Sequence, residues 1–167
     1  MVAVLSNSHR TDTDRQDNRV VLVVNPAFLQ EIKDSNPDFG RSLHQLRQVC
    51  ECREEPRQVA IRIVRLLDEL RDHLAMQFAL EECYGYMEVP ADASRGNTAL
   101  AETARAEHCS LYLELSEMVE RAEEYQYRGI AVANLQQLIQ ATRQFDARLQ
   151  EHERTENELI EGSFSAY

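Results

Sequence analysis

The sequence predicts an all-α fold: an antiparallel up-down-up-down four-helix bundle at 26–162, an irregular N-terminal arm at 1–25 and a short C-terminal tail at 163–167. Three observations carry that expectation. Apolar residues recur at alternating gaps of three and four along four long stretches, the period that gives a helix one buried stripe. The connections between those stretches are short, so consecutive helices must double back on one another. A chain of 167 residues with 43% hydrophobic content can build one domain with a substantial core and is too short for two comfortable ones.

Residues 1 to 18 are polar and aperiodic and read as a disordered lead-in that leaves His9 in solvent. Val20 to Val24 is strand-like by propensity, but no second strand candidate offers itself, so the segment is expected to lie extended along the domain. Asn25-Pro26 opens the first helix, whose stripe runs Leu29, Ile32, Asn36, Phe39, Leu43, Leu46 and Cys50. Two arrangements fit Pro37: Asn36 caps a fresh helix, or the proline kinks a continuous one. The stripe keeps its phase across the proline, which favours a kink or a short break. After Glu54-Glu55-Pro56 the second helix spans about 57–87, with Val59, Ile63, Leu66, Leu70, His73, Gln77, Glu81 or Leu80, and Tyr84 on its stripe. Val89 to Asn97 reads as a loop. The third helix carries Leu100, Ala104, His108, Leu111, Leu115, Met118 and Ala122, and a tyrosine-rich turn from Tyr125 to Gly129 leads into the fourth.

That fourth helix is the most informative. Its stripe runs Leu135, Leu138, Thr142, Phe145, Leu149, His152, Glu156 and Leu159 without slipping, so a histidine and a carboxylate stand one turn apart in positions reserved for core. A buried Glu needs a partner, and a metal or a proton-sharing group are the usual ones. In an antiparallel bundle, numbering that mirrors across each turn places Asn36, Gln77 and His108 at one height, with His152 within about a helical turn. His44 and His73 fit that layer less well.

These residues resemble the hemerythrin-like family, whose bundle holds a di-iron site through a histidine on the first helix, His-Phe-x-x-Glu-Glu on the second, His-x-x-x-His on the third, and a histidine followed by a carboxylate on the fourth. Gln77-Phe78-Ala79-Leu80-Glu81-Glu82 is similar to the second motif with glutamine for its histidine, and His108 through Tyr112 to the third with tyrosine for its second histidine. His152 and Glu156 match the fourth, and Asn36 stands where the first histidine is expected. The resemblance covers about 27–160. It implies a non-enzymatic metal-binding or sensing module, with His108, His152, Glu81 and Glu156 as ligands and His73 and Tyr112 one turn away. Iron is the implied metal, as one ion or two, with manganese or zinc also suited to N and O donors. The alternative is a metal-free helical scaffold that keeps the layer as a hydrogen-bonded vestige and acts through protein partners or as a homo-oligomer.

Other classes are disfavoured. A formal charge of -11 repels phosphate backbones and anionic membrane surfaces, so neither nucleic acid nor membrane is an expected partner. No apolar run approaches the roughly 20 residues of a membrane helix, and no export signal opens the chain, so a cytoplasmic location is the expectation. Cys50, Cys52, Cys83 and Cys109 lack zinc-type spacing and read as reduced, packing thiols. Serine-triad and glycine-rich phosphate patterns are missing, and neither His73 nor His108 has the Glu three residues before it that a ferritin-type oxidase needs.

Overall fold

In a computed structural model, residues 19–129 and 131–165 are described. The expected lead-in at 1–18, with His9, lies outside them. The described residues are mostly helical with one small sheet. Strand β1 (Val20–Val24) is followed by helices α1 (Pro26–Asp34), α2 (Pro37–Cys50) and α3 (Pro56–Leu80). Next come a five-residue π-helical turn (Glu81–Gly85) and strand β2 (Tyr86–Pro90), then α4 (Thr98–Arg128) and α5 (Val132–Ser165).

Local chemistry sets the helix starts. The first three helices each open on a capping side chain followed by proline: Asn25 accepts from Phe28 N, Asn36 from Phe39 N and Glu55 from Gln58 N. Asn36 therefore caps a new helix, and the first rod is broken at Ser35-Asn36 while the buried stripe Leu29, Ile32, Phe39, Leu43, Leu46, Cys50 keeps phase across the break. Asn97 caps α4 in the same way, accepting from Leu100 N. Helix α4 continues through Tyr125 to Arg128, so the expected tyrosine-rich turn is helical, and Gly129, at φ 84, ends it. Helix α5 likewise runs past Gly162 to Ser165, into what the sequence suggests as tail.

The expectation that Val20–Val24 has no strand partner is overturned. It pairs antiparallel with Tyr86–Pro90, Val24 opposite Tyr86 and Val20 opposite Pro90. The partner is hidden in the sequence because Tyr86-Met87 extends a helical stripe and Val89-Pro90 opens a loop-like run. The π turn makes the difference. Its wider winding shifts the phase of the last turn of α3, so Tyr84, expected on the buried stripe, is 59% exposed while Tyr86 is buried. Gly85 closes the turn where its backbone oxygen accepts from Asn25 N at 2.7 Å.

Side-chain pairs fix how neighbours run. Asn36 with Gln77 and Ser42 with His73 join the first rod to α3, and Lys33 with Glu153 and Arg47 with Asp146 join it to α5. Glu82 with His108 links the π turn to α4, and Glu107 with His152 and Ser110 with Arg148 link α4 to α5. In each multiple pairing one number rises as the other falls, so the neighbours run antiparallel. Two apolar clusters result. The larger fills the space among α2, α3, α4 and α5 up to Phe78, Leu111 and Leu149. The smaller, with Leu22, Val24, Leu29, Tyr86, Ala104 and Leu159, lies beneath the sheet. On α4, His108 falls between Leu111 and Ala104; on α5, His152 and Glu156 fall between Leu149 and Leu159. The buried polar groups therefore form a layer sandwiched between two dry cores. No helix among the described residues is long and apolar enough to cross a membrane.

A Cβ on Gly85 would stand 2.9 Å from Leu29 Cδ1. Gly85→Ala is expected to lower stability by about 1–3 kcal/mol, the usual cost of overpacking, measured by urea unfolding. A neutral result would show that Leu29 moves aside freely.

Candidate metal centre

The four residues that the family resemblance implies as ligands, two of them on the fourth-helix stripe, do come together. Glu81, from the π turn, His108, from α4, and His152 and Glu156, from α5, are all buried, and each offers a ligand atom within 4.8 Å of the others. This buried group could hold a metal ion. Donors about 2.0–2.1 Å from one tetrahedral ion stand about 3.3–3.4 Å from each other. Three of the six separations are close to that: His108 Nε2 is 3.4 Å from Glu156 Oε1 and 3.5 Å from Glu81 Oε2, and His152 Nε2 is 3.6 Å from Glu156 Oε1.

What orients the imidazoles lies outside the group. The Nδ1 of His108 is 3.1 Å from Glu82 Oε1, and the Nδ1 of His152 is 2.9 Å from Glu107 Oε2. Both outer carboxylates are substantially exposed, and an ionised carboxylate only accepts, so each Nδ1 carries a proton and donates it outward. In the neutral ring that leaves each Nε2 as a lone pair facing inward, toward carboxylate oxygens that are lone pairs too. Glu81 Oε2 and His152 Nε2 are buried and make no hydrogen bond. Glu156 Oε2 also makes none by angle, but Lys33 Nζ lies 2.7 Å from it, an ion pair that satisfies it, so two atoms remain orphaned. Orphans of this kind cost about 1–3 kcal/mol each, and a cation or a shared proton between them removes the cost. Phe78 stacks on His108 at 4.1 Å and Tyr86 meets the same ring edge-on at 5.6 Å, walling the group from water.

Two participants escape the sequence reading. Lys33 on α1 reaches Glu153 Oε2 at 2.5 Å and Glu156 Oε2 at 2.7 Å with little of its side chain exposed. Tyr86 on β2 donates its hydroxyl to Glu156 Oε1 at 2.8 Å. Tyr86 is found only once β2 is known. Lys33 stands one residue C-terminal to buried Ile32, so its stem follows the core side and its head reaches the layer, but nothing in its residue type marks that in the sequence. Gln77 Nε2 donates to Glu81 Oε1 at 3.0 Å and to Glu153 Oε1 at 3.3 Å, and Gln77 accepts from Asn36 Nδ2 at 3.2 Å, so the glutamine joins the layer through its amide.

The remaining candidates stand apart. His73 is half-buried and shares a hydrogen bond with Ser42 Oγ at 3.1 Å, and Tyr112 is 38% exposed, so neither joins the four-residue group. His44 is exposed. Of the cysteines only Cys50 is buried; Cys83 and Cys109 are exposed, so packing does not account for them. Burial pushes the Cys50 thiol up to about 11 and keeps it protonated.

Electrostatics pull the two central carboxyls apart. Burial, then the charge of Glu156, pushes Glu81 far above the usual carboxylate range, to about 9. Burial acts on Glu156 as well, but there a hydrogen bond from His108 and the charges of Lys33 and His152, the two rings contributing only when protonated on both nitrogens, outweigh it and hold Glu156 below that range. Glu156 and Glu153 likewise outweigh burial at Lys33 and keep its ammonium charged. No family model matches the chain, and no curated protein or solved structure matches it either.

For the metal-free protein the sign follows. A carboxyl whose folded pKa is raised contributes stability that is full below its unfolded value, about 4.3, and is lost as pH climbs toward about 9. Glu81→Gln, which keeps the shape without the charge, is expected to match wild type near pH 4 and to exceed it by about 1–3 kcal/mol near pH 8. Denaturation midpoints across that range check it; a difference that does not grow with pH would mean that Glu81 is ionised at no cost.

Proposed function

We propose that the chain is a non-enzymatic, hemerythrin-like module that binds or senses a divalent cation, iron, manganese or zinc, in the core of an antiparallel up-down-up-down bundle whose first rod is broken in two. The pairings of the first rod with α3 and α5, of the π turn that ends α3 with α4 and of α4 with α5 support the bundle reading. The observation that carries the functional one is the outward tethering of both imidazoles by Glu82 and Glu107. A carboxylate on the far nitrogen is how a metal-binding histidine is fixed in tautomer and direction, and it makes little sense around an empty pair of lone pairs. His108, His152, Glu81 and Glu156 would be the ligands. The bound ion supplies a positive centre: with Glu81 ionised, the charges of Glu81, Glu153, Glu156, Lys33 and a dication cancel.

A second reading, a metal-free scaffold that works through its surface, is favoured by Lys33. Its ammonium already neutralises Glu156, and a protonated Glu81 completes a stable layer without metal.

Metal analysis of protein purified from unsupplemented cells separates them. The module reading expects near-stoichiometric iron, manganese or zinc, and about 2.7 kcal/mol of added stability at a hundredfold excess over Kd. Less than about a tenth of an equivalent, with no rise in melting temperature when the metals are added, favours the scaffold. His152→Ala is expected to abolish uptake, and Tyr112→Phe to leave it unchanged.

A further inference from the structure

Each central carboxylate turns one oxygen toward the imidazoles and has the other oxygen held by a side chain of the protein. Glu156 Oε1 faces His108 and His152 at 3.4 and 3.6 Å while accepting one bond from the neutral Tyr86 hydroxyl at 2.8 Å, and its Oε2 is held by the charged Lys33 Nζ at 2.7 Å. Glu81 Oε2 faces His108 at 3.5 Å, and its Oε1 is held by the Gln77 amide at 3.0 Å. A carboxylate that bridges two cations must give one oxygen to each. Here the second oxygens are occupied by donors, one of them a full positive charge, and the donors are braced in turn: Lys33 by Glu153 at 2.5 Å, Gln77 by Asn36 at 3.2 Å.

Resting on the metal-binding reading above, we infer that the centre takes one divalent cation per chain, with the Lys33 ammonium standing where a second would have to sit and weakening the hold on the first. The ammonium competes with the bound ion for the charge of Glu156, because both draw on one carboxylate in a site shut off from water, where such interactions are poorly screened. Gln77 offers an amide hydrogen to Glu81 from the same side, which leaves that carboxylate only Oε2 for the ion. Lys33 thus sets the affinity and Gln77 the direction of Glu81.

The test is a zinc titration of the full chain followed by native mass spectrometry, counting only ions that disappear in His152→Ala, so that surface carboxylates do not contribute. One ion at saturation is expected. Two ions overturn this inference and leave the metal-binding reading standing; none, with ferrous iron and manganese titrated in the same way and also absent, overturns both. Chelator competition then compares Lys33→Met with wild type. Removing the ammonium is expected to tighten zinc binding by about tenfold, and a folded variant that binds zinc equally or more weakly overturns the role given to Lys33. Should Lys33→Met unfold, Lys33→Gln, which can still donate to Glu156 without the charge, carries the same expectation in a smaller measure, and affinity unchanged from wild type counts against it in the same way.

Discussion

Glu156 is a carboxylate with no exposed surface, and four elements of the fold send it a group: Lys33 from α1, Tyr86 from β2, His108 from α4, and His152 one turn before it on α5. An ionised carboxylate withdrawn from water is tolerated only with such an escort, since the penalty for burying it alone is several kcal/mol. Much of the local architecture follows from meeting that need. The π turn swings Tyr86 inward, the sheet anchors it, and the break at Ser35-Asn36 gives α2 its own cap while Lys33, at the end of α1, reaches across to α5. Glu81 is treated in the opposite way, receiving the Gln77 amide and a proton in place of a cation.

That asymmetry is what makes the site chemically open. The layer is neither an apolar core with a stray polar residue nor a saturated hydrogen-bond network. It has donors on its flanks and acceptors at its centre, and with Glu81 ionised two of those acceptors are unserved. Hydrogen-bond networks that are mostly acceptors invite cations, as ones that are mostly donors invite anions. The two apolar clusters on either side make the layer stiff, so the acceptors cannot relax apart to relieve one another.

The helical stripes and four central residues were readable because both depend on periodicity. His152 and Glu156 interrupt an otherwise apolar stripe, and an interruption in a regular pattern is visible without knowing what lies opposite. His108 needed one further step, the mirror numbering of antiparallel helices, which tolerates an error of a turn, and Glu81 rests on the resemblance of Gln77–Glu82 to a family motif. What could not be read were contacts created by a change of period. A π turn alters winding within a helical run and leaves no residue-type mark, so Tyr84 and Tyr86 exchange their expected places, and a strand emerges where the stripe still looks helical. Lys33 was hidden for another reason: a lysine beside a stripe is nearly always a solvated one, and only the position of Glu153 and Glu156 across the gap shows that this ammonium turns inward.

The ion pair between Lys33 and Glu153 spans 120 residues of chain. Because the entropy of closing a loop grows only slowly with its length, so long a closure is not itself prohibitive. Its reward, however, arrives only after everything between has taken its place. Until α5 docks, the ammonium and the imidazole of His108 have no Glu156 to meet, and the inner carboxyl of Glu81 faces a half-built cavity. The centre is therefore the keystone of a span that joins the two ends of the fold: it belongs to no local segment, and any partial opening that lifts α1 or α5 away dismantles it while most of the helices are still wound.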